Sequence, residues 1–131
     1  MIIILDIVLL VAMLLIIFWP RITLKRSGAK LLENRDFLEK SLKGQIVDVR
    51  EPAQFRTKHI MGARNLPAET ISQSMGALSK SKPVLLYENG QARGQNSRVI
   101  KVARLLKKEG YTEIFILKSG LSKWVGKTKT N

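Results

Sequence analysis

The stretch Ile46-Val47-Asp48-Val49 is an apolar run broken by a single acid, and Arg50-Glu51-Pro52 follows it directly. A run this short and this rich in β-branched residues reads as a buried strand. Proline is accepted in the first turn of a helix, where its missing amide hydrogen would have had no partner anyway. The stretch is therefore a strand feeding a helix, with Asp48 and Arg50 at the strand's carboxyl end. Open α/β sheets hold their ligands at that end.

The rest of the chain extends this alternation. Residues 29–32 read as an opening strand. Asn34 reads as the cap of a short helix that carries Phe37, Leu38 and Leu42 and ends at Gly44. The central strand covers 45–49 and its helix about 52–58. Ala63 to Leu66 reads as a short strand. Ile71, Met75 and Leu78 recur at helical spacing within 68–80, which gives one or two short helices. Val84 to Tyr87 is an apolar strand after Pro83. Val99, Val102, Ala103 and Leu106 form the apolar stripe of a helix over 95–109, with Gly110 as its stop. Glu113 to Leu117 is a further strand, Gly120 to Val125 a last helical turn, and residues 127–131 a flexible tail. Strands alternating with helices predict a parallel sheet with helices on both faces. No internal repeat or low-complexity tract interrupts the pattern.

Two segments together resemble the first signature of rhodanese-like domains. Asp48, Val49, Arg50, Glu51 and Pro52 match the first part. His59, Ile60, Gly62, Ala63, Asn65 and Pro67 match the second. The resemblance covers roughly residues 30–125, including Gly120 to Trp124. It implies a three-layer α/β/α sandwich around a small parallel sheet, over residues 29–126. By itself it does not imply activity.

In that family, the strand resembling Val84–Tyr87 leads into a six-residue loop that begins with cysteine, ends with arginine and runs into a helix. Amides converging at a helix amino end cradle an anion, lower the thiol pKa and let a thiolate take up sulfane sulfur. Here the loop reads Glu88-Asn89-Gly90-Gln91-Ala92-Arg93. Arg93 at the sixth position places Glu88 where the nucleophile would stand. The glycine falls one place early, and aligning on it would place Tyr87 there instead. The serine usual after the arginine is replaced by Gly94.

The chain has no cysteine. Disulfides, thiolate metal sites and a cysteine nucleophile are excluded, and with them a cysteine-dependent phosphatase on a similar loop. The resemblance therefore implies a sulfurtransferase-like fold without its nucleophile, a binding or regulatory module. The competing readings are a thiosulfate sulfurtransferase using another residue and an anion-sensing domain. In the sensing case Gly90, Arg93 and Gly94 would hold a small oxyanion, unless the Glu88 carboxylate fills the cradle as an internal anion.

The other marked residues have plainer roles. Asp48 is expected to tie down neighbouring loops through amide hydrogen bonds, or to orient Arg93. Arg50 and Glu51 read as structural charges at the strand-to-helix turn. Gly62 and Asn65 belong to the motif's framework. His59, the sole histidine, reads as a packed, hydrogen-bonded residue, and Tyr87 and Trp124 as packing. With one histidine and no cysteine, neither a metal site nor a cofactor is expected.

Ile2 to Trp19 is apolar at every position except Asp6. At about 1.5 Å per residue this run spans roughly 27 Å, close to the hydrocarbon core of about 30 Å. Each Leu, Ile, Val or Phe favours insertion by about 0.3–0.6 kcal/mol. Asp6 lies near the start, where it can reach the headgroups. The run lacks the basic start and small-x-small site of a cleaved signal peptide. Residues 1–19 therefore read as a transmembrane anchor and residues 20–28 as a basic linker. Arg21, Lys25, Arg26 and Lys30 crowd the carboxyl flank, which places the domain on the cytoplasmic face of a cell membrane.

Residues 20–131 carry all 23 Lys and Arg against nine acids. That surplus favours anionic partners. Arg98, Lys101, Arg104 and Lys108 line one helix face, which reads as solvated or turned toward anionic headgroups. Nucleic acid is not expected, since no recognition motif or aromatic interleaving accompanies the basic runs. The expected partners are the bilayer through residues 2–19, anionic lipid headgroups and a protein of unspecified kind. The plan leans bacterial.

Overall fold

The computed structural model describes residues 2–92 and 97–130, and only the backbone of 19–27. Strands β1 (Lys30–Leu32), β2 (Gln45–Asp48), β4 (Arg64–Asn65), β5 (Val84–Tyr87) and β6 (Ile114–Leu117) form a parallel sheet in the order β1-β6-β5-β2-β4. A separate antiparallel ribbon joins β3 (His59–Ile60) to β7 (Thr128–Lys129). The helices are α1 (Ile2–Ser27), α2 (Asn34–Ser41), α3 (Pro52–Thr57), α4 (Ile71–Ser74) and α5 (Arg98–Lys108). Two 3₁₀ turns, Met75–Ala77 and Leu121–Lys123, complete the described residues.

Side chains alternate across the strands, so the sheet feeds two cores. Val47, Val84, Leu86, Ile114 and Ile116 enter one core, with Val99, Ile100, Val102, Ala103 and Leu106 of α5 and Ile71 of α4. Leu85, Tyr87 and Leu117 enter the other, against Phe37 of α2, Leu121 and Trp124. Helices thus cover both faces. The stripe read from residues 99, 102, 103 and 106 is buried, and Ile100 joins it.

Several local expectations are corrected. Asn34 is not the cap of α2. Glu33 holds that position without a side-chain cap bond, while Asn34 Nδ2 donates to the Lys123 carbonyl at 2.8 Å. Phe37 alone of α2 is buried, and Leu38 and Leu42 are 50% and 82% exposed. The helix is too short to present a full stripe, so one aromatic residue carries its packing against the sheet. The tail is also more ordered than expected, because Thr128 and Lys129 pair with Ile60 and His59.

In α1, Ile2 to Phe18 expose apolar side chains around the whole helix. Among the described residues no helix is long and apolar enough to cross a membrane.

Candidate functional site

The central strands β2 and β5 run in register, so Asp48 lies beside Tyr87 where both end. Beyond those ends the chain turns into α3 on one side and into the 88–92 segment on the other. Arg50 and the head of this segment are therefore neighbours, although nearly 40 residues separate them.

Asp48 is fully buried and Arg50 is 5% exposed. The Arg50 guanidinium clasps the Asp48 carboxylate through Nη2 at 2.7 Å and Nε at 3.0 and 3.1 Å. The Arg50 amide adds a bond to Oδ1 at 2.9 Å. The same guanidinium donates from Nη1 to Asn89 Oδ1 at 2.8 Å and from Nη2 to the Lys58 carbonyl. Burial works to lower the Arg50 pKa, but the hydrogen bond and charge of Asp48 outweigh it and raise it. Arg50 is thus a fixed cation joining three segments: the end of β2, the end of α3 and the loop after β5.

Tyr87 reinforces the joint. Its ring is fully buried, the Arg50 guanidinium lies 5.8 Å from the ring centroid, and its hydroxyl accepts from the Ile60 amide at 3.0 Å. Burial and the neighbouring Asp48 carboxylate hold the phenol well above its ordinary pKa of 10.0. Asn65 Nδ2 donates to the carbonyls of Asp48 and Arg50 at 3.1 and 2.9 Å, fixing β4 to the same turn.

The loop is held from its other side as well. Leu121 and Ser122 donate their amides to the carbonyls of Glu88 and Asn89 at 2.8 and 2.9 Å, and Ala92 donates to Lys118 at 3.2 Å. Gly120 makes this approach possible. It sits at φ +72°, and a Cβ there would lie 2.6 Å from the Asn89 carbonyl oxygen. Glu88 opens the loop, and its Oε1 accepts from Ser97 Oγ at 3.2 Å. Ser97, 8% exposed, is the N-cap residue of α5. A cleft of about 340 Å³ lies here, lined by Arg50, Glu51, Glu88, Asn89, Ser97 and Arg98 among others.

The sequence-predicted residues separate into two groups. Asp48, Arg50, Glu88, Asn89 and Gly90 converge on the cleft or its support. Tyr87 belongs to the strand and the core, so it offers no group to the loop's opening. Gln91 and Ala92 continue the segment, with Gln91 exposed and Ala92 half-buried. Arg93 and Gly94 lie outside the described residues. Glu51 is exposed, 3.7 Å from Arg98, which also meets Glu69 at 3.3 Å. His59 is packed as expected: its ring stacks on Phe55 at 3.7 Å and its Nδ1 lies 2.8 Å from the Phe55 carbonyl. Gly62 takes the positive-φ turn after β3.

One expectation is corrected: Asp48 accepts mainly from the Arg50 side chain rather than from loop amides. Arg50 is the expected structural charge at the strand-to-helix turn, and it is also the hub of the buried network. Sequence reasoning missed Ser97, although a serine directly before a helical stripe is an N-cap signature. It also missed the Arg50–Asn89 bond, for which the sequence carries no local signal. Among the described residues no group of three or more His, Asp or Glu could hold a metal ion.

These features define a class: a parallel α/β domain whose site is the loop between its central strand and the following helix. The chain belongs to the rhodanese-like domain family, whose profile matches residues 29–127. It is 40% identical over 100 residues to the uncharacterized protein YqhL of Bacillus subtilis, covering 76% of this chain and 75% of that one. It is 34% identical over 84 residues to YibN of Escherichia coli, covering 62% of this chain and only 55% of YibN. Over 80 residues it is 30% identical to the thiosulfate sulfurtransferase GlpE of Shewanella oneidensis, covering 61% and 74%. The solution structure of the rhodanese-like domain of Anabaena Alr3790 superposes with a TM-score of 0.64 at 25% identity, covering 77% and 79%.

Arg50→Met would leave the Asp48 carboxylate buried without its partner. The expected loss is about 3–5 kcal/mol in denaturant unfolding. Replacing both residues, Asp48→Leu with Arg50→Met, is expected to cost clearly less than Arg50→Met alone.

Proposed function

We propose that this chain is a membrane-anchored rhodanese-like module that does not turn over sulfur and works by binding at the cytoplasmic face. One observation carries the reading. The loop that follows β5 opens with Glu88, already bonded to Ser97, in a chain without any cysteine. A sulfur carrier needs a sulfur atom of its own, to form the bond in which sulfane sulfur travels. A carboxylate oxygen offers none.

The sulfurtransferase alternative draws its support from the likeness to GlpE. It fails on the nucleophile, since Tyr87 is buried in the core and Glu88 is chemically unsuited. The anion-sensing alternative meets a second obstacle. The Glu88 carboxylate brings a negative charge to the cleft that Gly90 lines. Recognition of a partner protein, with the degenerate loop as part of a rigid frame, accounts for these features without a reaction.

Support for the anchor comes from Ile2 to Phe18, exposed and, Asp6 apart, apolar around α1. Such a helix has no stable place in water and needs a bilayer or an apolar partner. Trp19 extends the apolar run in the sequence, the helix backbone continues to Ser27, and the basic flank gives the orientation.

The purified full chain is expected to show no thiosulfate:cyanide sulfur transfer above a Glu88→Ala control, and turnover well above it would overturn the reading. Glu88→Cys is expected to gain measurable transfer, because the loop still ends a parallel strand beside a helix amino end. For the anchor, the full chain is expected to stay in the membrane pellet after an alkaline carbonate wash. Leu9→Lys with Leu14→Lys is expected to release it; release of the unmodified chain would contradict the anchor.

A further inference from the structure

On the sheet face away from α5, a groove of about 710 Å³ runs between α2 and the turn joining β3 to β4. Its size lies within the range of about 300–1,000 Å³ usual for concave binding sites. Its apolar wall includes Leu38, Leu42 and Met61, which are 50%, 82% and 50% exposed. These are the α2 residues that failed to enter the core and a methionine from the β3–β4 turn. Trp124 closes the groove beneath them. Its indole Nε1 is buried and has no acceptor among the described residues. Gly126, also in the wall, packs its backbone against the indole, where a Cβ would lie 2.8 Å from Nε1.

The charged residues of the wall are Arg64, Lys82 and Lys127, and none of the described lining residues is a carboxylate. Arg64 spends one bond on the Ala77 carbonyl, but its charge remains at the rim. Apolar contacts and one sign of charge specify the occupant's chemistry. We propose that this groove is a docking site for an acidic protein segment, with leucine-like side chains seated on Leu38, Leu42 and Met61. Its carboxylates meet Arg64, Lys82 and Lys127, beside the Trp124 ring that lines the groove.

A second copy of the chain fits poorly. Its net charge is +13 and its ten acids are scattered, so two copies would bring like charges together. A bilayer presents a plane rather than a ridge, and a concave wall suits an inserted segment better. The proposal stands independently of the loop after β5, because the groove opens elsewhere on the domain.

The test uses the full chain in non-ionic detergent and a fluorescein-labelled peptide of alternating glutamate and leucine. The same peptide with lysine for glutamate, and short-chain phosphatidylglycerol added to the micelles, serve as the other arms. The acidic peptide is expected to bind, to weaken with added salt, and to shift the Trp124 indole N–H signal in NMR, assigned by Trp124→Phe. Leu42→Glu and Lys127→Glu, both at exposed positions, are each expected to weaken binding at least tenfold without lowering the melting temperature. Lys82→Glu keeps the test open should either variant fold poorly. Absence of binding up to millimolar peptide, equal binding of the lysine peptide, or unchanged affinity in these variants would overturn the proposal. Phosphatidylglycerol-induced NMR shifts at Trp124 that these variants abolish, in the absence of peptide binding, would assign the face to lipid and overturn it as well.

Discussion

A buried ion pair organises this domain. Asp48 and Arg50 lie two residues apart at the end of a central strand, Asp48 fully buried and Arg50 nearly so. Such a pair is stable only when geometry and additional hydrogen bonds repay the loss of hydration. Here the repayment comes from outside the strand: from the Asn89 side chain, the Lys58 carbonyl and the Tyr87 ring. Each of these ties a different segment to the strand end. The pair therefore sets the relative position of α3, the β3–β7 ribbon and the loop after β5.

That frame explains how the loop keeps its place in a chain without cysteine. The carbonyls of Glu88 and Asn89 are bound by the Leu121–Ser122 turn, and the Asn89 side chain by Arg50. None of these contacts requires a thiol. A carboxylate at the loop's opening finds its own partner in Ser97 and disturbs nothing beneath it. The support of the loop is thus separable from the residue that stands at its opening.

Most of the architecture was legible in the sequence. Val84 to Tyr87 and residues 45–49 read as strands from short apolar runs, and α5 from the period of its stripe, since burial in a sheet or on a helix face imposes these patterns directly. Elements whose burial rests on one residue, or whose partner is distant, were not legible. Phe37 carries α2 alone, so its neighbours Leu38 and Leu42 looked like core and are not. Thr128 and Lys129 have no strand signature, and their pairing depends on His59 and Ile60 nearly 70 residues earlier. At the site, the loop's position and its missing cysteine were readable. The bond from Arg50 to Asn89 was not, because only the register of β2 against β5 brings those residues together.

If Arg50 and Asn89 hold the loop against the end of the sheet, the amides of Leu121 and Ser122 should behave as part of the core. Hydrogen exchange of these two amides, followed by NMR on the full chain, reads this directly. The expected result is protection approaching that of Val84 to Tyr87, reduced in Asn89→Ala. Exchange at open-loop rates in the unmodified chain would show that the loop is not held there, and would contradict the role given to the buried pair.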